Sequence, residues 1–185
     1  DWIVGSSCRI ENGLDEKRLK QHWKEIDTLQ KKYPSIHLLK AAEVAILADG
    51  KLDYENTILK ELDIVVASIH SGFKSDEKKM TARIVRALEN EQVTFMAHPT
   101  GRLINQRNPY AFNLDKVLDA AKANGKAMEI NSYPSRMDYD PGHIRECLKR
   151  EISLVINTDS HAVQNLDFME FGIAQARRGW AEKGD

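Results

Sequence analysis

The strongest constraint on the fold is a repeated alternation of short apolar segments with helical patterns. Apolar segments rich in β-branched residues occupy 36–47, 63–69, 93–97, 126–130 and 153–157. Helical patterns occupy about 14–32, 53–62, 76–89, 114–123, 140–150 and 163–178. Short links between them favour right-handed βα units and one parallel sheet covered on both faces. We therefore predict a single α/β domain over residues 1–185, with five parallel strands and six helices.

Composition limits the classes of function. The 27 basic and 28 acidic residues give a formal net charge of -1, so no global field attracts the chain to nucleic acid or to an anionic membrane. No segment approaches the roughly 18 apolar residues of a membrane span. Cys8 and Cys147 are isolated, which favours reduced thiols over a disulfide or a thiolate metal site. We expect a soluble cytoplasmic protein.

Metal-competent side chains recur where the predicted strands end. They are Glu43, His70, His98, Asp159 and His161. The C-terminal edge of parallel strands is where α/β proteins build their sites, so we expect these side chains to converge on one pocket. Mixed oxygen and nitrogen ligands suit zinc, manganese or iron. One such residue alone is more often a solvent-facing or hydrogen-bonding group, but five at equivalent positions favour metal binding.

The other three histidines do not share this placement. His22 lies within the first predicted helix, His37 at the opposite end of its strand, and His143 in the first turn of a helix. Structural or surface roles are the simpler interpretation of all three.

Polar residues in the same loops are candidates for substrate binding. Arg102 and Arg136 follow the third and fourth predicted strands, and either could bind a phosphate or form a salt bridge. Asn131 and Asn157 end or follow strands, and either could contact a substrate or orient a ligand.

Four segments of the sequence resemble PHP-domain phosphoesterases. They are Ala42-Glu43-Val44, Ala67-Ser68-Ile69-His70-Ser71-Gly72-Phe73, Ala97-His98-Pro99-Thr100-Gly101-Arg102 and Ile156-Asn157-Thr158-Asp159-Ser160-His161. The resemblance is strongest to the PHP domain of bacterial family X DNA polymerases. Asn12-Gly13-Leu14-Asp15, Glu129-Ile130-Asn131, Arg136-Met137-Asp138 and Ala176-Arg177-Arg178-Gly179-Trp180 support that assignment. The similarity covers nearly the whole chain.

The resemblance implies a distorted TIM-like β/α barrel that binds one to three divalent metal ions and hydrolyses phosphoesters. In the polymerase setting, the implied activity is a 3′-5′ exonuclease or a 3′-end phosphatase, with a DNA 3′ end or a phosphorylated small molecule as substrate. The family's first His-x-His strand and its Asp-His pair have no counterpart here, and Ala45 stands where an aspartate is common. We therefore expect an incomplete PHP-type barrel with an open sheet edge. Residues 1–10, a second copy of the chain or a partner domain would cover that edge.

The implied mechanism divides the site residues by role. Glu43, His70 and His98 would hold one ion, while Asp159 and His161 would assist a second ion or orient the nucleophile. Arg102 and Arg136, with Asn131, would position the phosphate, and His161 is a candidate for protonating the leaving group. Two alternatives stay open: a catalytically inactive PHP-like module that binds metal or serves a structural role, and a small-molecule phosphatase of the histidinol-phosphatase type.

Overall fold

The computed structural model of the chain describes residues 13–185, which form one parallel sheet with helices packed against it. The five strands lie in the order β1 to β5: Ala41–Ala45, Ile64–Ser68, Phe95–Met96, Ala127–Asn131 and Leu154–Asn157. The six α-helices, α1 to α6, span Glu16–Lys32, Asn56–Leu59, Glu77–Leu88, Leu114–Ala123, Pro141–Lys149 and Met169–Arg178. A 3₁₀ helix, Val163–Phe168, leads into α6. The predicted α/β fold with five parallel strands and six helices is confirmed, and it matches part of a TIM-like barrel.

The helices pack on one face of this sheet, as they do on the outside of a barrel. One buried cluster contains residues from all six helices, including Trp23, Ile58, Ile84 and Leu118, together with β-strand residues such as Val44. The opposite face carries a separate small cluster of Val66, Phe95 and Ala97. Among the described residues the sheet is therefore not covered by helices on both faces, in contrast to the expectation from the apolar strands. That face is apolar near the start of the strands and polar near their ends.

Several elements are shorter than their sequence patterns indicate. The predicted strand 36–47 is regular only over Ala41–Ala45, because Ile36 and His37 lie exposed before the sheet begins. Consequently Glu43 is the central residue of β1 and not a residue near its end. The predicted helix 53–62 is regular only over Asn56–Leu59.

Local side-chain caps explain where the main helices begin. Asp15 accepts a hydrogen bond from the backbone N–H of Arg18, and Asp76, Asn113 and Asp140 act in the same way at α3, α4 and α5. In α1 the buried residues Leu19, Trp23 and Ile26 follow helical spacing and therefore lie on one side of the helix. No helix within residues 13–185 is long and apolar enough to span a bilayer.

A buried arginine on α3 fixes the loops that follow β1 and β2. The Nε of Arg83 donates to the carbonyl of Leu47 at 2.8 Å, and its Nη1 donates to the carbonyl of Ser71 at 2.7 Å. Its Nη2 also donates to the carbonyl of Ile46. These carbonyls compensate for the loss of water around the guanidinium. Arg83 thereby holds the loop that begins at His70.

We expect Cys147 to be inert towards thiol reagents in the folded protein. Its side chain is fully buried, and burial raises the pKa of its thiol to about 12. In a Cys8→Ser variant, Cys147 is the only thiol in the sequence. Titration of that variant with Ellman's reagent should detect less than one tenth of a thiol per chain at pH 8 and about one after unfolding in guanidinium. Rapid reaction of the folded variant would contradict the buried position.

Candidate metal centre

Three side chains from three consecutive strand segments meet on the polar face of the sheet. The Oε1 atom of Glu43 lies 2.9 Å from Nε2 of His70 and 2.9 Å from Nε2 of His98. The two imidazole rings have their centroids 5.5 Å apart. One possible ligand atom from each residue lies within 4.8 Å of the other two. Among residues 13–185, this is the group of Glu, Asp, His and Cys side chains close enough to share a metal ion.

The alternation of side chains along a strand explains this convergence. Glu43 in β1 is paired in register with Val66 in β2, so their side chains point to the same face of the sheet. The side chain of Val66 lies on the face without helices. Because side chains two residues apart share a face, that side of β2 continues through Ser68 to His70. His98 lies two residues beyond β3, where its φ of 31° turns the chain out of the strand.

Electrostatic contacts outweigh burial in this group. Burial raises the pKa of Glu43, but hydrogen bonds and positive charge from His70 and His98 outweigh burial and hold that pKa well below its usual value. Burial lowers the pKa of His98, whereas the hydrogen bond and negative charge of Glu43 raise it, with a net increase. Glu43 is therefore an ionised carboxylate, as a metal ligand must be.

A buried carboxylate on β4, to which the sequence pattern alone assigned no role, positions His98. Glu129 accepts hydrogen bonds from the backbone N–H of His98 at 2.6 Å, from Nδ2 of Asn131 at 3.1 Å and from Nδ2 of Asn157 at 3.0 Å. Its burial raises its pKa to about 7, although the charge and N–H of His98 oppose this shift. One sequence feature could have identified Glu129. In Glu129-Ile130-Asn131 it lies two residues before Asn131, so the two side chains share one face of β4.

The loops after β4 and β5 form a second polar group beside the first. Asp159 accepts a hydrogen bond from Nε of Arg136 at 3.0 Å and from Nδ2 of Asn131 at 3.2 Å. Asn131 thus connects Asp159 to Glu129. The imidazole of His161 lies outside the Glu43–His70–His98 group; its side chain is 70% exposed, and its Nδ1 lies 2.7 Å from the carbonyl of Asp159.

Arg102 joins two loops, and two of its three side-chain nitrogens already donate hydrogen bonds to backbone carbonyls. Its Nε donates to the carbonyl of Arg136 at 2.7 Å, and its Nη2 donates to the carbonyl of Met137. Its Nη1 lies 4.0 Å from Oδ2 of Asp140. This geometry assigns Arg102 a part in shaping the loop that presents Arg136, whereas Arg136 keeps a buried Nη1 without a hydrogen-bond partner in the described structure.

The donor set of the three-residue group fits a divalent metal ion. One carboxylate oxygen and two imidazole nitrogens are ligands that zinc, manganese and iron accept, and three protein ligands leave positions open for water or substrate. The side chains of His98 and Glu43 are 2% and 19% exposed, so the group is sheltered but can be reached from solvent.

Fold and site together define an α/β protein with a candidate metal site where this architecture builds active sites. No family model matches the chain. The chain is 42% identical over 174 residues to the DNA polymerase/3′-5′ exonuclease PolX of Bacillus subtilis (strain 168), covering 94% of this chain and 30% of that protein.

Shorter matches connect the chain to phosphatases. It is 36% identical over 111 residues to a probable phosphatase of Thermoanaerobacter sp. (strain X514), covering 58% of this chain and 43% of that protein. It is 32% identical over 135 residues to a probable phosphatase of Acetivibrio thermocellus, covering 68% of this chain and 53% of that protein. The chain thus spans from under a third to about half the length of these curated relatives. The predicted resemblance to family X DNA polymerases is therefore confirmed, and the probable phosphatases among the relatives are consistent with a PHP-type phosphoesterase.

Proposed function

We propose that this domain hydrolyses phosphoesters with the help of a divalent metal ion. The observation that carries the proposal is the convergence of Glu43, His70 and His98, with ligand atoms within 4.8 Å of one another. Two kinds of relatives support the reaction class, because one is named a 3′-5′ exonuclease and others are named probable phosphatases. Both names describe cleavage of a phosphate ester by water.

Glu43, His70 and His98 would hold the ion, which we propose to be zinc, manganese or iron. A bound cation of this kind activates water at neutral pH and offsets negative charge on the phosphate. Asp159 and His161, on the neighbouring loop, are the candidates for binding further ions, up to three in total. Each of these five side chains lies on the polar face of the sheet or in a loop beyond it.

The remaining residues have roles that follow from their contacts. Glu129 holds the backbone of His98 in place, and Asp159 orients Arg136 through its Nε. The free Nη1 of Arg136 is suited to a phosphate oxygen. The exposed imidazole of His161 can give a proton to the departing alcohol.

The proposed substrate is the 3′ end of a DNA strand or a phosphorylated small molecule. The relation to PolX favours the first, and the several relatives named probable phosphatases favour a small phosphomonoester. A second copy of the chain or a partner domain at the sheet edge remains a prediction. The strands at the edges of the described sheet are β1 and β5.

Removal of metal should abolish hydrolysis, and replacement should restore it. Protein loaded with Zn²⁺ or Mn²⁺ would be assayed on p-nitrophenyl phosphate, small phosphomonoesters and single-stranded DNA. We expect turnover of at least one substrate, loss of turnover with EDTA, and recovery on adding excess metal ion. A folded sample that contains metal and hydrolyses none of them would contradict the proposal and favour an inactive metal-binding module.

A further inference from the structure

Arg107 is a cationic side chain held against residues of the two loops that carry His70 and His98. It closes a tight hairpin, because its backbone N–H donates to the carbonyl of Leu103 and its own carbonyl accepts from the N–H of Leu103, both at 2.8 Å. Its Nε donates to the carbonyl of Gly101 at 2.8 Å. Its guanidinium carbon lies 3.8 Å from the centroid of the Phe73 ring. The half-buried side chain is therefore held in one place.

The two loops that hold Arg107 are the loops that carry the two imidazoles. Phe73 lies three residues after His70, and Gly101 lies three residues after His98. These two contacts tie the guanidinium to both loops without using its Nη1 or Nη2 atoms. A guanidinium fixed by its Nε and its flat face presents its terminal N–H groups outward in a planar fork that matches phosphate.

Arg107 has no anionic partner among the residues that the structure describes. Arg102, Arg136 and Arg150 each approach a carboxylate within 4.0 Å, whereas the ion pairs of residues 13–185 include none for Arg107. A half-buried cation without a counter-ion is unfavourable, because the charge is partly removed from water. A bound anion would correct this imbalance.

A second cation, Arg136, is linked to the same loop by hydrogen bonds. Gly101 accepts from Arg107, and the next residue, Arg102, donates to the carbonyl of Arg136 at 2.7 Å. The adjacent residues Gly101 and Arg102 thus connect Arg107 to Arg136. Burial first, and then the positive charge of Arg136, lowers the pKa of Arg107. Asp159 offsets the charge of Arg136, so the unit charge of Arg107 remains unmatched.

We propose that Arg107 binds a second phosphate group of the substrate, adjacent to the phosphate that is hydrolysed. The inference rests on the proposed function, because it assigns a substrate class to the same site. The ligand chemistry is a phosphoester with a neighbouring phosphate, as in the end of a nucleic-acid strand or in a small bisphosphate. A compound with a single phosphate lacks the group that Arg107 binds.

The test compares Arg107→Met with a matched control on three substrates. In the control, Arg145→Met, the guanidinium removed also stacks on an aromatic ring, 5.1 Å from the centroid of Trp180, and donates to a backbone carbonyl, that of Arg178. The substrates are a nucleoside 3′-monophosphate, a nucleoside 3′,5′-bisphosphate and an oligonucleotide with a 3′-phosphate. The quantities measured are kcat and KM.

We expect Arg107→Met to raise KM about tenfold for substrates with a second phosphate, the size expected for loss of a charged hydrogen bond. For the nucleoside 3′-monophosphate, the KM of Arg107→Met should differ from that of the wild type by less than about twofold. The KM of Arg145→Met should differ by less than about twofold for every substrate. A higher KM of Arg107→Met for both the bisphosphate and the oligonucleotide would mean that Arg107 binds any neighbouring phosphate. An effect on the oligonucleotide alone would identify a nucleic-acid strand as the source. If the KM of Arg107→Met changed equally for all three substrates, or for none of them, the inference would be overturned.

A binding measurement separates this inference from the proposed function. If the wild-type protein hydrolyses nothing, the proposed function fails, but calorimetric titration with the nucleoside 3′,5′-bisphosphate still tests Arg107. A dissociation constant about tenfold weaker in Arg107→Met and unchanged in Arg145→Met would support the second phosphate site. No binding by the wild type, or equal binding by both variants and the wild type, would overturn it.

Discussion

Replacing His98 by alanine should remove the metal ion from the protein and lower phosphoester hydrolysis at least about 100-fold. Loss of a group that merely orients a metal ligand costs about 10- to 100-fold in affinity or activity, and loss of the ligand should cost more. His98 is the most buried of the three candidate ligands, with 2% of its side chain exposed, so solvent would not readily place another ligand there. Glu43 and His70 alone would leave the ion with two protein ligands.

Elemental analysis after exhaustive dialysis without chelator measures this effect directly. The matched control is His37→Ala, which removes an exposed histidine that precedes β1, at the end of the strand away from the site. We expect wild type and His37→Ala to retain the same metal content and His98→Ala to retain background only. Circular dichroism of each metal-free protein would verify that the fold is intact. Equal metal content in all three would place the ion elsewhere and reject the candidate centre.

Replacing Gly101 by alanine should destabilise the protein by about 2–5 kcal/mol. Its φ of +62° lies in the left-handed region, which costs residues with a Cβ roughly 1–2 kcal/mol. A Cβ here would also clash with Cε1 of Tyr110 and lie 2.8 Å from its Cδ1. That ring is buried, and its hydroxyl donates to the carbonyl of Pro99 at 2.6 Å, so it is not free to move aside. Overpacking of this kind adds about 1–3 kcal/mol.

Gly125→Ala provides a control with the same backbone angle and no clash. Gly125 also has a φ of +62°, but a Cβ there meets nothing within 4 Å. We expect it to cost only the roughly 1–2 kcal/mol of the backbone term. Urea unfolding followed by circular dichroism gives both free energies of unfolding, and their difference isolates the contact with Tyr110. Equal values for the two variants would show that the Tyr110 ring yields without cost.

Hydrogen bonds between neighbouring loops give the candidate centre its shape. The buried carboxylate of Asp138 accepts from the backbone N–H and from the hydroxyl of Thr100, both at 2.8 Å. Burial raises the pKa of Asp138, although the bonds from Thr100 oppose this shift. Arg102 links the same two loops through carbonyls after β4. Residues beside His98 are therefore tied to the loop that carries Arg136.

The candidate metal ligands could be predicted because sheet topology converts chain position into spatial position. Once the apolar segments indicate parallel strands, the residues that follow them must lie at one edge. His70 and His98 were found in this way. Glu43 was found by the same argument although it is central in β1, because its long side chain extends to both imidazoles.

The roles of the arginines could not be predicted in the same way. The sequence places Arg102 and Arg136 in loops on the correct face, but only the folded loops decide which donors remain free. Arg102 donates hydrogen bonds from Nε and Nη2 to the carbonyls of Arg136 and Met137, whereas Nη1 of Arg136 has no hydrogen-bond partner in the described structure. A role for Arg107 could not be predicted from the sequence, because its contact with Phe73 joins residues that are 34 positions apart in the chain.

The sequence by itself determined the order of the strands and helices and the edge of the sheet near which the chemistry lies. Those properties depend on the period of apolar residues and on local caps, which act between near neighbours in the chain. Only the tertiary structure decided that the helices pack on a single face, that Glu129 supports His98, and that His161 points towards solvent. These outcomes depend on how the elements pack in three dimensions and on hydrogen bonds between distant loops, and neither leaves a periodic signal in the sequence.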